Sequence, residues 1–168
     1  MKIGLKKSLL VLSAAVFFAA CTPVAHKEIG EQRNILSSLE GTWKLTKATQ
    51  VDEAAKAKGF PFKELDITNL FPYTDFKLTL TLNAGAPGTF TTIPGASPKI
   101  IKLTSGTWTV DDAQQPKNIT LSSGATSEVV TLGGYPVAAS NTLKVKVERK
   151  EAATGKVVIS YSYEFAKQ

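Results

Sequence analysis

Apolar and polar side chains alternate along most of this chain, from about residue 42 to the C-terminus. The clearest run is residues 75–83, where polar residues separate four apolar ones: Phe76, Leu78, Leu80 and Leu82. Because successive side chains of a strand point to opposite faces of a sheet, this period of two predicts a half-buried strand. Similar runs predict seven more strands, over residues 42–50, 89–93, 99–110, 118–122, 127–132, 141–149 and 156–166.

Two short segments have helical features instead. Ile35, Leu36 and Leu39 have the spacing of one helical turn. Residues 52–58 are good helix formers with acids first and lysines last, which suits the helix dipole, and Gly59 follows them. Eight strands joined mostly by short turns therefore indicate an all-β domain, an antiparallel sheet closed into a barrel or folded into a sandwich, with a short helix after strand one.

The connection between the first two strands is unusually apolar. It contains Phe60, Phe62, Leu65, Ile67, Leu70, Phe71 and Tyr73. Either it packs over one barrel mouth and completes the core, or it is a lid over an apolar cavity, since ligand sites are often concave, apolar and located in barrel mouths. The second interpretation gives these candidate ligand-binding residues: Phe62, Leu70, Phe71, Tyr73, Tyr161 and Tyr163. An exposed apolar surface there would instead indicate a protein partner.

The N-terminus differs from the rest of the chain. Three lysines precede an apolar run over residues 8–20, which is too short to span a bilayer and has the length of a signal-peptide core. Residues 18–21, Phe-Ala-Ala-Cys, resemble the lipobox of bacterial lipoproteins, with Phe18 in place of the usual Leu. The resemblance implies cleavage before Cys21 and lipid on both its thiol and its new amino group, and more than one chain gives stable anchoring to a membrane.

The expected organisation is therefore a lipoprotein signal peptide (residues 1–20), a lipidated Cys21 with a polar tether (residues 21–34), and a barrel domain (residues 35–168). Thr22 stands where an Asp often signals retention in the inner membrane. The resemblance thus favours a lipid-anchored protein of the cell envelope, at the outer membrane and facing the periplasm.

Charge gives no reason to expect a nucleic-acid partner. Removal of the signal peptide takes away three lysines and leaves 17 basic and 14 acidic side chains, so the net charge falls from +6 to +3. That value is ordinary for a soluble domain. The sequence also lacks a basic stripe interleaved with stacking aromatic residues.

The segment Gly41-Thr42-Trp43, after a short helical turn, resembles the Gly-x-Trp motif on the first strand of lipocalins. More closely, the chain resembles the uncharacterised lipocalin-like domains of bacterial lipoproteins, through residues 39–43, 69–72, 76–82 and 105–111. The resemblance implies an eight-stranded up-and-down barrel with Trp43 packed at its closed end. The expected structural residues at the barrel end are Gly41, Trp43 and Trp108.

Two departures from the resemblance bear on the structure. Lipocalins usually set an arginine from a late strand against the motif tryptophan, and here Arg149 ends the seventh predicted strand. Relatives often carry further cysteines in the connection after strand one, whereas Cys21 is the only cysteine of this chain. That connection must therefore be held by packing alone.

Catalytic and metal chemistry find little support. His26, the only histidine, lies in the tether, so no nucleophile–histidine arrangement and no histidine metal site is expected in the domain. Asp111-Asp112 is predicted to form a solvated turn. The spacing of the other acids does not indicate a carboxylate pair for glycoside hydrolysis. We expect no enzyme activity, no metal and no cofactor. Lys144, Lys146, Arg149 and Lys150 form either a solvated strand face or a surface for an anionic headgroup or glycan.

Two functional hypotheses remain. In the first, a lipid-anchored module binds a small apolar or amphipathic ligand in its barrel. In the second, the barrel is only a scaffold, and the apolar connection and residues 84–98 contact an envelope protein partner.

Overall fold

The computed structural model describes residues 35–136 and 141–168, and the signal peptide, Cys21 and tether lie outside these residues. Two short α-helices are present, α1 (Ile35–Leu39) and α2 (Glu53–Ala57), with a 3-10 turn at Tyr73–Asp75. The strands are β1 (Gly41–Asp52), β2 (Glu64–Asp66), β3 (Lys77–Asn83), β4 (Ala86–Ile93), β5 (Ser105–Val110), β6 (Asn118–Ser123), β7 (Thr126–Gly134), β8 (Thr142–Lys150) and β9 (Val157–Lys167).

Eight of these strands close into one antiparallel barrel. From β3 to β9 each strand pairs with the next, and β1 closes the ring by pairing with both β3 and β9. The prediction of an all-β, eight-stranded antiparallel barrel with a short helix after its first strand is confirmed. Every strand neighbours the next barrel strand in sequence, which is an up-and-down order.

β1 is the longest strand and changes partner along its length. Its first half pairs with β3, through Trp43 and Leu78 among others, and its second half pairs with β2, through Gln50 and Leu65. We call the end of the barrel where β1 begins the lower end, and the end where β1 reaches Asp52 the upper end. The connections β1–β3, β4–β5, β6–β7 and β8–β9 lie at the upper end.

The barrel interior is filled by side chains. Its largest fully buried members are Trp43, Trp108, Phe76, Phe90 and Phe165, with leucines and isoleucines from every side of the barrel between them. All the described core residues lie between Leu36 and Phe165, within one compact unit that spans Arg33–Gln168. This unit has its own hydrophobic core, so it meets the requirement for folding by itself.

The structure differs from the sequence prediction in two strands. The predicted strand over residues 99–110 forms a strand only from Ser105, because residues 99–104 bend over the upper end and bury both Ile100 and Ile101. Conversely, β2 was not predicted. It has three residues, all exposed, so its pairing with β1 leaves no apolar alternation in the sequence.

Candidate functional site

The upper end of the barrel contains a row of inner-face side chains that the core does not cover. The register places Leu65, Gln50, Tyr161 and Val147 side by side across β2, β1, β9 and β8. One row closer to the lower end, Tyr163 sits between Ala48 and Val145, and all three are buried.

Exposure rises steadily towards the upper rim. Gln50, Tyr161 and Val147 are half-buried, and Leu65 is 56% exposed. The next row, Asp52, Ile159 and Arg149, completes the rim, with Ile159 half-buried and the two charged residues exposed. We call the inner-face residues above the Tyr163 row the upper mouth: Gln50, Leu65, Val147, Arg149, Ile159 and Tyr161.

Four of the six candidate ligand-binding residues form a chain of aromatic contacts beneath this mouth. The rings of Tyr161 and Tyr163 are stacked with centroids 6.2 Å apart, and Tyr73 lies 6.0 Å from Tyr163. The rings of Phe71 and Tyr73 are nearly perpendicular, with centroids 5.9 Å apart. Tyr73 and Tyr163 are each only 6% exposed, so they form a floor, and Tyr161 is the tyrosine that reaches the mouth.

The other two candidates are largely exposed, Phe62 at 94% and Leu70 at 64%. Phe62 lines a groove of about 250 Å³ at the rim, together with Gln50 and Leu65 of the upper mouth. Phe60, Leu65 and Phe71 are also more than half exposed, and the Lys58 ammonium lies 5.9 Å from the Phe60 ring. The connection therefore divides: Ile67, Tyr73 and the following Phe76 pack into the core, Leu65 lies in the upper mouth, and the remaining large apolar side chains are mostly exposed.

A cavity opens beside the mouth, where the ladder between β7 and β8 ends. Their register starts at Thr131 and Lys146, although β7 begins at Thr126 and β8 continues to Lys150. The cavity between these diverging strands has a volume of about 290 Å³. Its apolar lining includes Ile100, Ile101, Val129, Val130 and Val147, and its charged lining consists of Glu128, Lys146, Glu148 and Lys150.

The bent segment beside this cavity is held by polar contacts. The Glu128 carboxylate accepts a hydrogen bond of 2.8 Å from the backbone N–H of Lys102. The Thr92 hydroxyl donates to the carbonyl of Leu103 at 2.9 Å, and the Thr92 N–H donates to the carbonyl of Thr104. Ile100 and Ile101 are thereby fixed as one wall of the cavity.

The electrostatics of the aromatic floor follow from its burial. Desolvation raises the pKa of the Tyr163 hydroxyl above its ordinary value, and the neighbouring Tyr73 and Tyr161 raise it further. The positive charge of Arg149 acts in the opposite direction. Burial also raises the pKa of Tyr73, so these two phenols are held in their neutral, hydrogen-bond-donating form.

A second groove, of about 340 Å³, lies on the outer face of β1, β9 and β8, beside α2 and β2. At its margin the Ser160 hydroxyl donates a hydrogen bond of 2.6 Å to Glu53, and Lys146 lies 3.5 Å from the same carboxylate. The Ser160 bond and the lysine charge lower the pKa of Glu53. Lys56, Lys146 and Glu164 of this groove form ion pairs within the protein, whereas Lys47 and Glu64 form none among the described residues.

The lower end carries the residues that the sequence marked as structural. The Trp43 indole is fully buried and donates a hydrogen bond of 2.8 Å to the carbonyl of Leu39 in α1. Trp108 donates a similar bond to the carbonyl of Thr81. Gly41 adopts a φ of +128°, and a Cβ there would collide with the Lys167 side chain.

Arg149 does not reach Trp43, because the two residues pair with opposite ends of β9. Arg149 is opposite Ile159, whereas Trp43 is opposite Lys167. The cation over the Trp43 ring is Lys167, with its ammonium 5.4 Å from the ring centroid. Arg149 is thus left at the upper mouth.

Metal and membrane features can be stated for the described residues. Within residues 35–136 and 141–168, no three His, Cys or acidic side chains come together as a metal site. No helix in these ranges is long and apolar enough to cross a membrane. Asp111 and Asp112 form a turn in which the Asp111 carboxylate accepts hydrogen bonds from the N–H groups of Lys117 and Asn118.

Sequence comparison gives one family. The model of a domain of unknown function, DUF5004, matches residues 24–166, which is most of the chain. The chain belongs to the DUF5004 family. Comparison with curated proteins finds no match. The DUF5004 family description names no activity, and the geometry of the upper mouth is therefore the guide to function.

Several upper-mouth residues were not singled out from the sequence. Val147 and Ile159 were placed on strand faces by the alternation, but nothing in it showed that their ends of β8 and β9 rise above the core. Gln50 and Leu65 become neighbours only through β2. Ile100 and Ile101 were assigned to a strand and form a cavity wall instead.

Proposed function

We propose that this chain is a non-enzymatic binding protein of the cell envelope that holds a small amphipathic molecule at the upper mouth of its barrel. The observation that carries the proposal is the half-buried apolar row through Tyr161 and Val147, beside a cavity of about 290 Å³. Apolar side chains left partly in water at a concave site gain free energy when a ligand covers them.

The filled interior limits where such a ligand can lie. Because Trp43, Trp108 and the phenylalanines around them are almost fully buried, the part of the barrel that they fill has no room for a ligand. The ligand therefore rests above the Tyr163 row, with Tyr161 alongside it. This places binding in a shallow mouth, in contrast to a deep central cavity.

Native mass spectrometry of the protein, purified gently from its own host, tests the proposal. We expect a bound mass beyond the processed polypeptide. Val147→Glu places a charge in the mouth and should abolish the bound mass. Val158→Glu places the same charge on the outward face of β9, where Val158 is already exposed, and should leave it unchanged. A bare polypeptide, or equal loss in both variants, would contradict binding at the mouth.

We further propose that the domain is anchored by lipid on Cys21 at the outer membrane, facing the periplasm. The lipobox-like residues 18–21 and the resemblance to lipocalin-like domains of bacterial lipoproteins support this. Cys21→Ala should abolish acylation and release the protein from the membrane fraction, with Thr22→Ala as the matched control. Unchanged membrane partitioning of Cys21→Ala would refute the anchor.

A second candidate function is supported by the outward-facing part of the apolar connection. Phe60, Phe62, Leu70 and Phe71 come from one segment and are each more than half exposed. Clustered exposed apolar side chains are typical of protein-binding surfaces. In this alternative the barrel is a scaffold for an envelope protein partner.

Photo-crosslinking in cells tests the scaffold alternative. A crosslinker at Phe62 should capture a defined protein, and one at Thr107, on the exposed face of β5, should not. Leu70→Ser should weaken the capture without lowering the stability of the barrel, since its side chain is 64% exposed. Failure to capture any protein from Phe62 would argue against this role.

A further inference from the structure

Arg149 is the only arginine among the described residues, and the register turns it towards the upper mouth. It stands opposite Ile159 on β9, on the same face of β8 as Val147 and the buried Val145. It is exposed, and no carboxylate of the described residues forms an ion pair with it. This inward-facing cation thus has no ion-pair partner in the part of the chain that the structure describes.

The outward-facing cations of the same strand are arranged differently. Lys146 lies 2.9 Å from Glu148 and 3.5 Å from Glu53, and Lys144 lies 3.2 Å from Glu164. Lys144 and Lys146 are therefore neutralised on the outer face, whereas Arg149 on the inner face and Lys150 at the strand end have no ion pair among the described residues. A ligand that complements this arrangement carries a negative charge at the Arg149 position.

Three acids near the mouth are already engaged, and a fourth, Glu64, lies on β2, three strands away from Arg149. Glu148 is bound to Lys146, and Glu128 accepts the N–H of Lys102. Asp52, in the same row as Arg149 but two strands away, caps α2 by accepting the N–H of Ala55 at 2.8 Å. None of them is placed to take over the arginine.

A cavity lined by both apolar and charged side chains lies near the cation. Val147 precedes Arg149 by two residues on the same face, which separates their Cα atoms by about 7 Å. Val147 also lines the cavity between β7 and β8, together with Ile100, Ile101 and Val130. A molecule with a head at Arg149 and a tail against Val147 would fill both sites.

We infer that the upper mouth recognises amphiphiles with a carboxylate head group, with Arg149 binding the head and the cavity between β7 and β8 receiving the apolar tail. The inference rests on the proposed function and names its ligand class. The planar guanidinium presents parallel N–H donors that match the two oxygens of a carboxylate. Tyr161, one row below, lies beside the path from head to tail.

Titration calorimetry on the unit from Arg33 to Gln168 tests this, with three probes of equal chain length below their micelle concentrations. The probes are decanoate, decan-1-ol and decyltrimethylammonium. We expect decanoate to bind about tenfold more tightly than decanol, since a hydrogen bond to a charged group is worth at least a factor of that size. Decyltrimethylammonium should bind most weakly.

Single substitutions test whether Arg149 causes the preference for decanoate over decanol. Arg149→Gln should weaken decanoate binding about tenfold and leave decanol unchanged. Lys156→Gln removes the same charge from the exposed hairpin after β8 and should change neither. Val147→Ser should weaken decanoate and decanol alike, because it acts on the tail. Amide NMR spectra of each variant verify that the barrel remains folded.

The outcomes separate the two proposals. If decanol binds as tightly as decanoate, or if Arg149→Gln has no effect, the head-group inference is wrong and amphiphile binding stands. If Lys156→Gln weakens decanoate as much as Arg149→Gln, general electrostatics explain the preference and the inference is again wrong. If none of the three probes binds, the proposed function fails and this inference fails with it.

Discussion

The ammonium of Lys167 lies 5.4 Å from the centroid of the Trp43 ring, so a side chain of the last barrel strand covers the tryptophan of the first. The two residues are direct partners in the β1–β9 ladder. The lysine stem shields the indole while its charge remains at the surface, as is common for long amphipathic side chains. This contact joins the two ends of the folded domain at the lower end of the barrel.

Removing the lysine charge from this contact should lower the free energy of unfolding by a small but measurable amount. Lys167→Met keeps the stem over Trp43 and loses the cation–π attraction, so we expect about 0.5–1 kcal/mol less free energy of unfolding in urea. Lys167→Ala also loses the packing and should cost more. Equal stability of Lys167→Met and the wild type would show that the stem alone matters.

Replacement of Trp43 or Trp108 by phenylalanine should lower the free energy of unfolding by more than the loss of apolar volume alone. Each substitution removes an indole N–H and leaves a carbonyl, of Leu39 or Thr81, without its donor. We expect each variant to lose about 1–3 kcal/mol of unfolding free energy from this cause, in addition to lost packing. Phe90→Leu, which removes only apolar volume, is the control. A loss at either tryptophan no larger than that of Phe90→Leu would contradict the role of the hydrogen bond.

Gly106 should be intolerant of any side chain. Its φ of +155° is rarely adopted by other residues, and a Cβ at this position would overlap the carbonyl oxygen of Ser122 on the neighbouring strand. Gly106→Ala should therefore cost more than about 2 kcal/mol, measured by chemical denaturation. Gly124→Ala, at a φ of +58° with open space around it, isolates the backbone term. Similar losses in the two variants would show that the close approach to Ser122 is unimportant.

Stability should fall in acid partly through Glu53. Its pKa is lowered in the folded state, first by the Ser160 hydrogen bond, so its contribution exists above the unfolded-state pKa and disappears as the pH falls through the folded-state value. Ser160→Ala should be less stable than the wild type near neutral pH. The difference should shrink between about pH 5 and about pH 3.

Urea unfolding across this pH range measures the effect. Ser162→Ala, which removes a hydroxyl from the same face of β9, is the control and should parallel the wild type. A Ser160→Ala deficit that stays constant with pH would show that the lost stability comes from packing and does not involve the Glu53 charge.

The alternation of side chains was sufficient to predict the barrel, because a closed antiparallel sheet with a filled interior needs one apolar face on every strand. The alternation did not predict the structure correctly where buried residues lie outside strands or where a strand has exposed side chains. Ile100 and Ile101 are adjacent and both buried, which a strand that faces the core on one side cannot achieve, and their segment bends. β2 was not predictable from the alternation, because it is held by pairing with β1 and its side chains are exposed.

The candidate site was predicted less completely, for a related reason. The apolar connection was identified, but its sequence does not distinguish residues that fold inwards, such as Tyr73, from those that face water, such as Phe62. That choice depends on the 3-10 turn and on the room left above Tyr163. The uncompensated charge of Arg149 likewise emerges only once the outer-face lysines are seen beside their glutamates.

The pairing of β1 with β9 also has a consequence for the order of events in folding. β1 begins at Gly41 and β9 ends at Lys167, so the ring cannot close until the final strand is available. Contacts between distant parts of a chain carry a large loop-closure cost and form slowly. A chain emerging from the ribosome would hold an open, incomplete sheet until β9 has been made, and loss of β9 would leave the first strand with an unprotected edge.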